Sequence, residues 1–211
     1  MRTLQLAIKR LFDIVASICL ILFLIIIPIL IVVPVVIKLT SRGPAIFTQI
    51  RVGKDGKEFK IYKFRTMLLP EDRICKDGRV LEPNESITKV GNILRKTSLD
   101  ELPQIFNILL GDMSFVGPRP MIPSQVKKIS DYNKGRHIMR PGVTGWAQVN
   151  GRNNLTWDEK LKYDMEYVEK FNLFLDIKIF FKTVKVIFAR EGIEYVHTMD
   201  QNNKNKEDKN A

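Results

Sequence analysis

The sequence predicts an α+β fold that is mostly helical, with a membrane-inserted helical element ahead of a compact body. Three observations carry this. Residues 14–37 contain no charged side chain. Alternating apolar and polar residues flank a glycine turn at 53–56, the pattern of a β-hairpin. Apolar residues recur at helical spacing in 102–110 and again in 157–190.

The chain has 211 residues, which suits one domain with a membrane element. Its net charge is +11, from 34 Lys+Arg against 23 Asp+Glu, and favours anionic partners: nucleic acid, an anionic bilayer or phosphorylated substrates. Cys19 and Cys75 are far apart and no CxxC occurs, so neither a disulfide framework nor structural zinc is expected. His137 and His197 are too isolated to suggest a metal cluster.

The uncharged run is long enough, as a helix, to cross roughly 30 Å of hydrocarbon. A signal peptide fits poorly, because no small-residue cleavage site follows the run. Pro28 lies near its middle and Pro34 six residues on; each removes a backbone donor. Freed carbonyls in lipid need other partners. A kinked span and a re-entrant helix both fit. Lys9 and Arg10 before the run, with Lys38 and Arg42 after it, put positive charge at both ends, which favours re-entry.

Residues 43–67 read as a hairpin, with Lys63 or Arg65 either solvated or set over a phosphate. Residues 68–86 read as a polar surface loop with an Asp77-Gly78 turn, followed by a helix over about 87–96. Next come Asp100 and Glu101, before an apolar helix whose buried face would be Leu102, Ile105, Phe106, Leu109 and Leu110. Gly111 is a stop signal. Ser98 and Glu101 have capping-box spacing, or Asp100 is the cap with Pro103 in the first turn. Capping alone would explain either acid. Two adjacent carboxylates repel, and suit instead a divalent cation or a nucleophile for phosphorus. Arg95 lies upstream, and Arg119 sits in a rigid Pro118-Arg119-Pro120 turn.

Residues 140–153 are dense in glycine, amides and arginine, and fit either a ligand loop or a structural loop plugged by Trp146. Residues 157–170 read as an amphipathic helix with mostly solvated acids. Residues 173–190 read as a second helix, with Lys178, Lys182 and Lys185 on one side and Ile177, Phe180, Phe181 and Val184 on the other. It suits a core or a membrane interface. The segments divide as 1–42 membrane element, 43–199 body, the candidate catalytic domain, and 200–211 disordered tail.

Four stretches together identify a resemblance: IFTQIRVG at 46–53, FKIYKFRTM at 59–67, LRKTSLDELPQIFNILLGDMSFVGPRP at 94–120 and RPGVTGWAQVNGRN at 140–153. LDIKIFF at 175–181 also fits. The chain resembles the bacterial sugar transferase family, in its small monotopic polyprenyl-phosphate phosphoglycosyl transferase form. The resemblance implies Mg²⁺-dependent transfer of a phosphosugar from a UDP-sugar to undecaprenyl phosphate, with release of UMP. It implies Asp100 as nucleophile, with Glu101 as its partner in metal binding or proton removal. Arg119 would hold phosphate, and Lys63, Arg95, Arg140, Gln148, Arg152 and Asp164 are further substrate candidates. It implies a re-entrant break at Pro28, phospholipid around it, and a body on the cytoplasmic face of the bacterial inner membrane. Where the family often pairs a serine with the proline, this chain has Ile27. An N-acetylated sugar is expected, as in the small members. A homodimer and downstream glycosyltransferases are compatible protein partners; nucleic acid is not expected. Two rivals remain: a membrane-tethered basic protein without catalysis, and a sugar-nucleotide hydrolase or UDP-releasing glycosyltransferase. Hydrolysis of UDP-sugar, or loss of phenotype in Asp100→Asn at unchanged membrane binding, counts against the first, and the nucleotide released tests the second.

Overall fold

The computed structural model of the chain describes residues 2–75, 78–151 and 154–189. Arg152 and the tail expected at 200–211 lie outside these.

Two helices open the chain: α1 (Arg2–Ile26) and α2 (Ile29–Thr40), bent by 60° at Ile27-Pro28. The break falls at the proline because its ring removes an N–H from the ladder. Ile31 N and Val32 N donate to Pro28 O at 3.0 and 2.8 Å, which restarts the helix at once. Pro34 sits inside α2 without interrupting it. Among the described residues no single helix is long and apolar enough to cross a membrane; the bent pair passes that test together.

Lys9 and Arg10 do not behave as membrane flanks. α1 begins at Arg2 and already includes them. Lys9 Nζ donates to Asp176 Oδ2 at 2.5 Å, and Arg10 donates to the carbonyls of Ile108 and Leu109. Asp13 Oδ1 accepts from Ser114 Oγ and Phe115 N, both at 3.2 Å. These positions, with the buried Ser17, recur every three or four residues and form one polar stripe against the body.

The predicted hairpin is present: β1 (Ile46–Val52) pairs antiparallel with β2 (Glu58–Phe64), from Ile46 opposite Phe64 to Val52 opposite Glu58. Then follow α3 (Lys89–Lys96), capped by Thr88 Oγ1 accepting from Gly91 N at 2.9 Å, and α4 (Gln104–Leu110). The expected capping box at Ser98 is absent. Ser98 is left-handed, with φ 56° and no capping bond, and Leu99–Glu101 form a separate 3₁₀ turn. Pro103 explains this: without an N–H it cannot join a ladder started at Ser98, so α4 begins after it. Gly111 ends α4 at φ 95°, with its N–H on Asn107 O.

The buried face of α4 also differs from expectation. Ile105 and Ile108 are buried, but so are Gln104 and Asn107, while Phe106 and Leu110 are exposed. Asn107 causes the rotation. Its Oδ1 accepts from Tyr62 N at 3.1 Å and its Nδ2 donates to Lys60 O at 2.7 Å, locking α4 to the β2 backbone.

A short parallel pair has no counterpart in the sequence reading: β3 (Ser114–Val116) beside β4 (Gly142–Thr144). It needs glycine, since a Cβ on Gly142 would stand 2.1 Å from Gly117 N. Four-residue helices α5 (Pro123–Val126) and α6 (Asp131–Lys134) fall between these strands in the chain, and α7 (Trp146–Val149) follows them. Two longer helices close the fold, α8 (Trp157–Glu169) and α9 (Leu173–Ala189). Their shared core joins Tyr167, Val168, Phe171 and Ile179 to Val116 and Met139, with Leu6 of α1 and Trp146 packed on it. A second core places Leu30, Val33 and Ile37 of α2 on Ala45, Phe64 and Leu94.

Candidate active site

A cleft of about 820 Å³ opens between the hairpin, the Leu99–Glu101 turn and α7–α8. That is in the range of small-molecule sites. Asp100 and Glu101 border it, as do Lys63, Arg95, Arg119, Gln148 and Asp164.

Glu101 is engaged by two cations. Lys63 Nζ, from β2, donates to Oε1 at 2.6 Å, and Arg119 Nη2 donates to the same oxygen at 3.1 Å. Burial alone would raise the Glu101 pKa; Arg119 and Lys63 outweigh it and hold the carboxyl at about 2. Burial also lowers the Lys63 pKa, against the opposing pull of Glu101.

Asp100 is different. No hydrogen bond reaches its carboxylate among the described residues. Burial raises its pKa, Glu101 adds to that, and Lys63, Arg95 and Arg119 oppose it. Adjacent acids therefore present one bound carboxylate and one available to a reacting partner.

The turn bearing Arg119 is held by its own carbonyls. Gly142 N donates to Pro118 O at 3.0 Å, Arg136 Nη2 to Arg119 O at 2.6 Å, and Arg51 Nη1 to Pro120 O at 2.9 Å. Three consecutive fixed acceptors leave the Arg119 side chain to project from a rigid base. Arg136 is itself anchored: its Nη2 and Nε donate to Asp164 Oδ2 at 2.6 and 3.1 Å, both residues buried. Asp164 is thus committed to Arg136 on one oxygen, while its Oδ1 has no partner. Burial raises its pKa against the pull of Arg136.

Arg95 Nε donates to Thr66 Oγ1 at 2.9 Å. Gln148 Nε2 donates to Val143 O at 3.1 Å, and its Oε1 is buried without a partner. Arg140 is placed elsewhere. Its Nε donates to Gly111 O at 2.8 Å, and it borders a separate pocket of about 300 Å³ at the hairpin turn. Pro28 lies at the helix break, away from the cleft residues. Arg65, the alternative to Lys63 in the hairpin reading, also borders the cleft, as do Arg51 and Arg136, which were not among the predicted site residues. The pairing of Lys63 with Arg65 was visible in the hairpin pattern. Arg136, in a short irregular segment, carried no signal.

The loop at 140–153 has features of both readings: Gln148 borders the cleft, and Trp146 packs on the core. Its Nε1 donates to Glu166 Oε2 at 3.1 Å, and Lys182 Nζ stands 4.8 Å from its ring centre. The loop bearing Gln148 is thereby fastened to α8 and α9.

For a divalent cation, no group of three or more His, Cys, Asp or Glu is present among the described residues. The cleft offers Asp100 and the second oxygen of Glu101. Mg²⁺ needs no more from protein, since waters and substrate phosphates complete its shell. The donor set fits a metal that arrives with a diphosphate.

Comparison with known proteins gives the family. The bacterial sugar transferase family matches residues 4–190. The uncharacterized sugar transferase EpsL of Bacillus subtilis is 42% identical over 186 residues, covering 88% of this chain and 90% of EpsL. The UDP-glucose:undecaprenyl-phosphate glucose-1-phosphate transferase of Escherichia coli is 42% identical, over 83% of this chain and 39% of its own length. The UDP-N-acetylgalactosamine-undecaprenyl-phosphate N-acetylgalactosaminephosphotransferase of Aeromonas hydrophila is 40% identical, over 88% and 44%. The chain thus spans nearly all of EpsL and less than half of the two other relatives. The match over 4–190 takes in the bent helix pair, the hairpin and every described residue of the cleft, and on it the chain belongs to the bacterial sugar transferase family.

Proposed function

We propose that this chain transfers a sugar 1-phosphate from a UDP-sugar to undecaprenyl phosphate, releasing UMP. The observation that carries the reading is Asp100, a carboxylate without hydrogen bonds in a cleft ringed by Lys63, Arg95 and Arg119. A carboxylate oxygen of Asp100 attacks the phosphorus next to the sugar, and the bond to UMP breaks. The acceptor phosphate then attacks the same phosphorus and returns the Asp100 carboxylate. A raised pKa makes Asp100 the more basic, hence more nucleophilic, of the two acids.

Glu101 serves charge rather than proton transfer. With its carboxyl at about 2 it is a weak base, and it holds Lys63 and Arg119 in place for the phosphates. Asp100 and Glu101 would hold Mg²⁺, which neutralises charge developing on the diphosphate. Arg119, aimed by its fixed turn, takes a phosphate oxygen. We infer an N-acetylated donor, the kind named for the Aeromonas relative.

We further infer that the bent pair is re-entrant and inserts from the cytoplasmic face of the inner membrane. The side of α1 away from the polar stripe exposes Leu4, Leu11, Phe12, Val15 and Leu22, and α2 exposes Ile31, Val35 and Leu39. Phe174, Ile177 and Phe181 of α9 are also exposed, and suit the interface.

The test is the intact mass of the purified protein after brief incubation with UDP-N-acetylated sugars, UDP-glucose and UDP-galactose, with Mg²⁺ and without lipid. An added phosphosugar that is missing in Asp100→Asn is expected. No adduct, alongside full lipid-dependent UMP release, would mean direct transfer. UMP release that continues past one equivalent per protein without lipid would mean a hydrolase.

A further inference from the structure

Arg65 follows Lys63 by two residues, at the point where α2 returns to the body. Its side chain is 6% exposed and makes no ion pair among the described residues. Nη2 donates to Ser41 O at 3.0 Å and Ser41 Oγ at 2.7 Å, closing the C-terminal end of α2. That explains one nitrogen, since a cation there meets the negative end of the helix. Nε and Nη1 are buried without any partner.

A buried guanidinium without a counter-ion is unfavourable. The chain nevertheless wraps closely around it. Gly43 has φ 96°, and a Cβ there would stand 2.4 Å from Nη1 and 2.8 Å from Leu69 Cδ1. Arg65, Leu69, Asp100 and Glu101 border the same cleft. Yet the cations that act on Asp100 are Lys63, Arg95 and Arg119, and Arg65 is not one of them. The cleft thus contains a second cationic point, set apart from the acids and attached to the end of α2.

We propose that Arg65 holds the phosphate monoester of the lipid acceptor, an inference that rests on the transfer reading above. Position selects the acceptor over the donor. Arg65 is bonded to Ser41, immediately after the exposed apolar residues Ile31, Val35 and Leu39 of α2. A prenyl tail lying along that face brings its head group to the Ser41–Gly43 turn. The donor diphosphate takes the cations around Asp100 on the other side. The Leu69 side chain swings to admit the phosphate, and the two idle nitrogens donate to it.

The experiment compares wild type and Arg65→Lys, full chain, in lipid nanodiscs. In Arg65→Lys the KM for undecaprenyl phosphate rises about tenfold or more, the size of one lost charged hydrogen bond. Adduct formation on Asp100 without lipid stays at the wild-type rate. An unchanged acceptor KM, or a parallel loss of adduct formation, overturns the proposal. If Arg65→Lys does not fold, hydrogen exchange on wild type decides. Slower exchange at 41–45 and 64–69 with farnesyl phosphate, but not with inorganic phosphate or UDP-sugar, supports it. Equal slowing by either of those, or none with farnesyl phosphate, overturns it. Wild type that releases no UMP with acceptor overturns the transfer reading itself, whatever Arg65→Lys does.

Discussion

Burial and the neighbouring charge of Glu101 raise the Asp100 pKa, so the fold disfavours the ionised form of this side chain. A group bound more tightly to its proton in the folded state loses stability for the protein as pH rises through its folded pKa. Asp100→Asn removes that cost at neutral pH. The variant is expected to lose the covalent adduct and to melt higher at about pH 7, by roughly 2–4 °C if the gain is about 1 kcal/mol. The difference shrinks in acid, where wild-type Asp100 is protonated. A lower melting point at neutral pH would refute this. Glu101 has the opposite sign. Its folded pKa of about 2 lies below the ordinary 4.5, so its stabilisation is present above 4.5 and is lost as pH falls towards 2. Urea midpoints of Glu101→Gln should therefore change less than those of wild type over that interval. At this scale the sequence was informative where a residue sits in a dense motif. Asp100, Glu101 and Arg119 stand out by adjacency or by flanking prolines. It was silent on Arg136, because nothing local shows that one guanidinium will bond both Arg119 O, 17 residues before it, and Asp164, 28 residues after it.

Secondary elements were legible where one period dominates. The hairpin alternates cleanly, and both central residues of its turn are polar or glycine. α4 was legible as a helix but not in its orientation. Apolar spacing pointed to Phe106 and Leu110, yet a single amide, Asn107, bonds the backbone of β2 and turns them outward. Two hydrogen bonds to the β2 backbone outweigh the burial of Phe106 and Leu110. Asn107→Ala should cost about 2–4 kcal/mol, since it leaves Tyr62 N and Lys60 O without their partner. The turn bearing Asp100 and Glu101 lies between α3 and α4, and Lys63 lies beside the bonded residues of β2, so activity should fall with stability. A denaturant midpoint equal to wild type would show that Asn107 does not hold α4. The β3–β4 pair escaped notice for another reason: three-residue strands have no readable period, and their cause is the close approach of Gly117 and Gly142.

At the scale of the molecule, the re-entry proposed for the bent pair is supported by its fastenings. The first turns of α1 are bonded to the body: Arg2 Nη2 donates to Val168 O at 2.9 Å, and Lys9 pairs with Asp176. The last turn of α2 is bonded to it too, through Ser41 and Arg65. Between them lies the apolar bend, where Ile26 is 79% exposed. A span would leave its two ends on opposite faces of the bilayer, which these bonds do not allow without unfolding one end. At the bend, Ile27 O accepts from Ile29 N and Pro28 O from Ile31 N and Val32 N, so these two carbonyls keep partners, which lessens the cost of a break in lipid. The sequence argued re-entry from lysines and arginines near the run. The folded chain gives a different reason, because Lys9 and Arg10 are consumed by the body and are not free to read the leaflet. Labelling tests the proposal. In a chain with Cys19 and Cys75 replaced by serine, Thr3→Cys and Arg42→Cys are each exposed to a membrane-impermeant maleimide. Both should react in inside-out membrane vesicles and neither in right-side-out vesicles. Reaction of the two from opposite sides would establish a span, and would require that the Arg2 or the Ser41 fastening open in the membrane. Asp176→Asn weakens the α1 fastening without touching the cleft; it should lower stability while leaving both cysteines on one side, because Arg10 and Asp13 still hold α1 to the body.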